Sequence, residues 1–298
     1  MIRLRPSQLV SMLVLAGACE RNKPPATADT LAAAQQSAAD SARAAAPARN
    51  WEKSAGPLLL VEGDSPLHAL LIFPDSAAVS ATLAELPHPA SVTLFGRNGT
   101  VQIGEIPVVA DSDVCAVANL SATPPPRAWN VGFVGGVVAP IALDSMASLG
   151  RADSLDALTN ITRLASAMPN DSAGRFTGLP FVVRTIWRFS VPGGPPTFIA
   201  LVRRQINQEA TPLQELTLIV AQRSSTDSTF SNVYSERSYG DEETIESRDI
   251  LAAVQFGSGR TVGLVVARDY GNATAYGLVE RDDDGKWRAR WLSARRHC

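Results

Sequence analysis

The stretch Phe181-Val182-Val183-Arg184-Thr185-Ile186-Trp187-Arg188-Phe189-Ser190-Val191 decides the reading of the fold. Phe181, Val183, Trp187, Phe189 and Val191 alternate with Val182, Arg184, Ile186 and Arg188. A period of two is what a strand shows when one of its faces meets a core. Short apolar runs follow at 197–204, 216–223, 250–256, 262–268, 275–281 and 287–293. Their length and the turn residues between them predict an antiparallel series, closed by the tight turn Asp284-Gly285. In the last run Trp287, Ala289 and Trp291 are expected to point one way and Arg288 and Arg290 the other, giving a sheet with one buried and one solvated face.

Upstream, 56–61 and 68–73 are apolar runs separated by Gly63-Asp64-Ser65-Pro66, which suits buried strands joined by a turn. Asp75 or Ser76 can cap a helix carrying Val79, Leu83 and Leu86 and stopped by Pro87. The runs 92–95 and 101–104 flank Arg97-Asn98-Gly99, a hairpin signal because Asn and Gly both tolerate positive φ. A further strand is expected over 114–120. Thr123-Pro124-Pro125-Pro126 then breaks the chain, dividing an N-terminal subdomain (54–122) from a C-terminal one (127–298). Strands at 129–134 and 137–143 surround Gly135-Gly136. The spacing of Leu155, Leu158, Ile161, Ala165 and Met168 predicts a helix over 154–168. The expected class is α+β: β-rich, mostly antiparallel, with two or three helices and a C-terminal β-meander.

The N-terminus has three zones: the cations Arg3 and Arg5, the apolar stretch 9–15, and the small residues Ala16-Gly17-Ala18 before Cys19. This is the layout of a secretory signal peptide over 1–18, too short for the ~18–20 residues of a membrane-spanning helix. Leu15-Ala16-Gly17-Ala18-Cys19 resembles the lipobox of bacterial lipoproteins, although Ala16 stands where that family usually has Leu. The resemblance covers residues 1–19 and implies lipidation of Cys19, which would become the mature N-terminus in the cell envelope. Glu20 in place of Asp then implies sorting to the outer membrane, the alternative being a secreted or periplasmic soluble protein. Acyl chains stabilise attachment by ~0.8 kcal/mol per buried CH₂, so more than one chain anchors durably. Residues 19–53 read as a lipidated Cys and a disordered tether: 12 of the 23 residues from 26 to 48 are Ala, and Leu31 is their one large apolar side chain. Using Cys19 for lipid leaves Cys115 and Cys298 as a candidate disulfide, worth about 4–5 kcal/mol on a chain-entropy account.

The whole chain carries 27 basic and 29 acidic residues, a formal charge of −2. Loss of Arg3 and Arg5 with the leader takes it to −4. No broad basic field exists, which excludes nucleic acid as the main partner. Three scattered His and three scattered Cys argue against a zinc or iron–sulfur site, and no cofactor motif is present. Gly63-Asp64-Ser65 resembles the opening of the GDSL-type esterase block, which implies a serine nucleophile at Ser65 and a histidine base. Only His68, His88 and His297 could serve, the family's C-terminal Asp-x-x-His is absent, and a turn accounts for the same letters. The stretch 250–291 resembles degenerate FG-GAP-type β-repeats without their calcium loop. The acidic group Asp241, Glu242, Glu243, Glu246 and Asp249 reads as solvated loop. Arg184, Arg188, Arg288 and Arg290 are the candidate anion-binding residues, for a glycan, a lipid headgroup or an acidic envelope protein, set against an ordinary soluble face.

With no nucleophile–base–orienter set and no metal-ligand set in the sequence, the leading expectation is a non-catalytic, lipid-anchored envelope protein that binds or scaffolds a partner. The alternatives are an envelope hydrolase whose site is assembled from sequence-distant residues, and a purely structural lipoprotein.

Overall fold

The structure is a computed structural model that describes residues 51–107, 116–169, 174–191, 193–207, 212–224, 229–258 and 261–297. The leader, Cys19, the Ala-rich segment 26–48, Cys115 and Cys298 lie outside the described residues.

Sixteen strands in three antiparallel sheets and two α-helices are found among the described residues. Half of those residues are strand and 14% are helix, so the class is mostly β and the α+β expectation is corrected. The reason lies in where the helices sit. Each covers the outer face of one sheet, and two helices are few beside sixteen strands.

The first sheet contains β1 (Leu58–Glu62), β2 (His68–Ile72), β3 (Ala90–Phe95), β4 (Val101–Ile106), β5 (Val117–Asn119) and β6 (Val131–Val134), in the order β4-β3-β6-β1-β2-β5. The chain leaves it through Gly135-Gly136, where a Cβ on Gly136 would lie 2.4 Å from the Ala55 carbonyl oxygen. It passes through β7 (Val138–Ile141) and β8 (Asp144–Ser145) to α1's larger counterpart, α2 (Arg151–Ala167); α1 is the short helix Val79–Glu85. The second sheet runs β12-β11-β10-β9-β8, with β9 Val182–Ser190, β10 Pro196–Ile206, β11 Leu213–Arg223 and β12 Phe230–Asp241. The third runs β16-β15-β14-β13-β7, with β13 Ser247–Phe256, β14 Val262–Asp269, β15 Thr274–Arg281 and β16 Trp287–Leu292.

The third sheet lies in the middle. Val254, Phe256, Val265, Leu278 and Trp291 pack with Leu59, Val61, Phe95 and Phe133 of the first sheet. From the opposite face, Ile250, Leu264, Val266, Val279 and Trp287 pack with Phe189, Ile199, Leu218 and Val220 of the second. The two outer faces are covered in turn. Leu58, Leu60, Val92 and Leu94 meet Val79 and Leu83 of α1, and Phe198, Ala200, Ile219 and Ala221 meet Ala157, Ile161 and Ala165 of α2. All three sheets are therefore apolar on both faces, which is why their strands read as runs of Val, Leu and Ile.

Two bulges redirect side chains that simple alternation would keep together. Leu278 pairs with Trp291 but Val279 pairs with Ala289, so Arg290 is an extra residue and Trp287 and Trp291 enter cores on opposite faces. The expected single apolar face of the last strand is thus replaced by two buried ones. In β9, Leu201 pairs with Thr185 and Val202 with Val183, making Arg184 the extra residue. Val183 then packs on the α2 side while Trp187 and Phe189 face the middle sheet. The helix also turns differently from expectation. Its buried residues are Ala157, Ile161, Leu164 and Ala165, and Leu155 is 55% exposed.

Arg97, in the β3–β4 turn, ties the three sheets together. Its amide donates to Asn130 Oδ1 at 3.0 Å, its carbonyl accepts from Leu143 N at 2.8 Å, and its guanidinium pairs with Asp249 of β13 and lies 5.4 Å from the centre of the Trp187 ring on β9.

A test of the double burial is Gly263→Ala in β14. The added Cβ would lie 2.4 Å from Phe256 Cε2 and 2.7 Å from Leu278 Cδ1, so those two side chains must give way where they pack with the first sheet. Overpacking of this kind costs ~1–3 kcal/mol, to be read from urea unfolding. No loss of stability would mean that this face of the middle sheet is not close-packed around Phe256 and Leu278.

Candidate functional site at the β9 bulge

The site arises where β8 stops. It pairs with β9 only at Asp144↔Arg188 and Ser145↔Trp187. The chain then turns away through the 3₁₀ turn Met146–Ser148, held by Ser154 Oγ donating to the Met146 carbonyl at 3.1 Å, and enters α2 behind Gly150. Among the described residues, positions 182–186 of β9 have no strand on their outer side. A cleft of about 290 Å³ fills the gap, walled mainly by Met146, Leu158, Val183, Ile186 and Trp187. On the inner side of β9, between the second and third sheets, lies a cleft of about 250 Å³ floored by Leu201, Leu216 and Leu218 and edged by Ser247 and Asp249. Arg184 and Thr185 line both.

Among the four candidate anion-binding arginines, Arg184 stands apart. It is exposed, and its side chain has neither an ion pair nor a hydrogen bond with another described residue. Arg188 bridges Asp144 at 3.3 Å and Asp153 at 3.2 Å, fastening β8 and α2 to β9. Arg288 pairs with Asp282, and Arg290 Nε lies 3.4 Å from Glu280 Oε1. Arg184 and Arg188 sit on β9 of the second sheet and Arg288 and Arg290 on β16 of the third, so the four do not form one row.

At Ser65 the geometry is that of a turn. His68 donates its amide to the Ser65 carbonyl at 2.9 Å, and its Nδ1 lies 2.5 Å from Asp64 Oδ1. The hydrogen bond with His68 holds the Asp64 carboxyl below its usual value. No hydrogen bond joins the Ser65 hydroxyl to His68 among the described residues, and Asp64 is 84% exposed. His297 accompanies the Asn272 carbonyl instead. No group of three His, Cys, Asp or Glu suited to a metal ion occurs among the described residues. None of their helices is long and apolar enough to cross a membrane.

Sequence reasoning missed a buried ionic square. Arg248 Nε lies 3.1 Å from Glu236 Oε2 and its Nη2 2.8 Å from Glu246 Oε1. Arg268 Nη2 lies 2.6 Å from Glu236 Oε2 and its Nη1 2.9 Å from Glu246 Oε1, while the Tyr234 hydroxyl donates to Glu236. Glu246 and Asp249, read as solvated from the sequence, are both in ion pairs. A second buried pair joins Arg204 to Glu215 at 2.9 Å. Arg204 and Arg268 end the two matching segments Thr197-Phe-Ile-Ala-Leu-Val-Arg-Arg204 and Thr261-Val-Gly-Leu-Val-Val-Ala-Arg268, and that shared ending was the available signal. Burial pushes the Glu236 carboxyl up, but the guanidiniums of Arg268 and Arg248 outweigh it and leave the carboxyl below its ordinary value. With every charge paired, the square is structural.

No protein-family model, curated protein or solved structure matches this chain.

Truncation at the square leaves a buried guanidinium uncompensated, so Glu236→Ala is expected to cost ~3–5 kcal/mol in urea unfolding. Arg288→Ala, at an exposed pair, should cost under about 1 kcal/mol. Because Glu236 holds its proton less tightly folded than unfolded, its stabilisation is complete above the ordinary value of 4.5 and is lost as pH falls through the folded value. Glu236→Gln should therefore flatten the acid limb of the stability–pH curve; an unchanged limb would contradict the assignment.

Proposed function

We propose that this chain is a non-catalytic, lipid-anchored protein of the bacterial cell envelope that holds an acidic partner at the β9 bulge. The zones of residues 1–19 support the anchor and the Ala-rich stretch supports a spacer between membrane and body. The observation that carries the binding reading is Arg184: a guanidinium with no carboxylate partner among the described residues, at the meeting point of two clefts, in a body whose other strand arginines largely have one. Its planar fork suits a carboxylate, and the half-apolar clefts on either side supply contact area. The mildly acidic net charge argues against attraction to anionic lipid, so the lipid on Cys19 supplies the membrane contact.

Two measurements test this reading. Cys19→Ala should move the protein from the membrane fraction to the soluble fraction, and mass spectrometry of the native N-terminus should find acyl chains on Cys19. An unmodified thiol would remove the anchor. A photo-cross-linking residue at position 185 in intact cells should give a discrete adduct whose yield falls about tenfold with Arg184→Glu, the loss of one charge-assisted contact. An adduct indifferent to Arg184→Glu, or matched by a cross-linker at exposed position 101, would remove the binding site.

A further inference from the structure

We infer that the open edge of β9, positions 182–186, receives an extended peptide of a partner protein as an added strand, with an acidic side chain of that peptide on Arg184. This rests on the reading of the β9 bulge as an acid-binding site and specifies how the partner is held. β9 runs for nine residues, but β8 covers only its Trp187–Arg188 end. Where β8 would continue, the chain does not collapse onto the edge. Met146, packed on the α2-side cluster with Ile186, and Leu158 wall the 290 Å³ cleft there.

Proteins ordinarily blunt such an edge with charge, a bulge, proline or a covering loop, because its N–H and C=O groups template pairing, and β9 carries the first two of these in Arg184 and its bulge. Here the open backbone is flanked by apolar surface: Val182 is 51% exposed and Leu158 37%. Strand addition uses both features, main-chain hydrogen bonds for affinity and alternate side-chain pockets for selection. With Arg184 bulged, residues 182–186 oppose four residues of β10, an edge of roughly 14 Å at about 3.4 Å each, enough for a short peptide. Charge complementarity selects the occupant. Arg188, on the part of β9 that β8 covers, has two carboxylates from this chain; Arg184, on the open part, has none among the described residues. The bulge that makes Arg184 an extra residue also sets it beside both clefts, where a carboxylate on an added strand can reach it.

The test uses the full chain and a blocked, dye-labelled peptide alternating Val and Thr with one central Asp. Binding is followed by fluorescence anisotropy and by hydrogen exchange of the segment 182–190. Two control peptides carry Asn for Asp, or N-methyl groups along one edge. The Asp peptide is expected to bind and to slow exchange in 182–186. The Asn peptide, the N-methylated peptide and the variant Arg184→Gln are each expected to weaken binding about tenfold or more. If the N-methylated peptide binds as well as the plain one, and Arg184→Gln weakens both, strand addition falls and the acid-binding reading stands. If the plain peptide slows exchange in 182–186 but neither Asn nor Arg184→Gln matters, the acidic occupant is wrong. No binding at millimolar peptide overturns both. A dimer of the full chain that the peptide dissociates would make a second copy the occupant and overturn the partner assignment.

Discussion

The structure depends on burying both faces of its middle sheet. The strands β13, β14 and β15 have no wet side: Leu264 and Val266 face one neighbouring sheet and Val265 and Leu278 the other. Charged side chains are therefore confined to strand ends and edges, and the buried arginines gather there. Arg248 and Arg268 share Glu236 and Glu246, and Arg204 meets Glu215. Removing a buried charge from water is costly unless geometry and partners are good, so these groups occur together, Arg237 joining Arg204 on Glu215. Arg97 does similar work at the edge, reaching Asn130, Asp249 and Trp187 from one turn.

A body held by double burial can leave an edge open without losing its shape. The chain spends 131–145 passing through all three sheets, β6 to β7 to β8, and the last of these strands is only two residues long. That shortness leaves 182–186 of β9 with no strand on their outer side among the described residues, and the clefts on the two sides of β9 meet at Arg184. The proposed binding reading draws on this topology. A strand held in a sheet on one side and met by no strand among the described residues on the other is a preorganised surface, and preorganisation lowers the entropy cost of taking on a partner.

Much of the strand content was legible because two-sided burial writes continuous apolar runs into the sequence. Leu58-Leu59-Leu60-Val61 and Val262-Gly263-Leu264-Val265-Val266 are plain examples. The Asn98-Gly99 turn was legible for the same local reason: Gly99 has φ +79° and Phe95 pairs with Val101. The bulges were not. One extra residue in a strand leaves no mark on composition, so Trp287 and Trp291 looked like one face and lie on two. The helix face was misjudged because Leu155 fits the helical period as well as Ala157 does, and only the sheet beneath decides which is covered. The ionic square was hidden for a different reason. Its members come from β12, the turn after it, β13 and β14, and pairing across strands depends on register. Arg184 itself was visible as one of four similar arginines; that it alone lacks a carboxylate is a property of tertiary structure.

The most direct test of a rigid core presenting an open edge is native-state hydrogen exchange of the full chain without any added peptide. Amides in the middle of β14 should exchange only through global unfolding, at the free energy given by urea denaturation, while the outward amides of 182–186 exchange far faster. Protection at 182–186 equal to that of β14 would mean the edge is already covered, and the account of the site would fail.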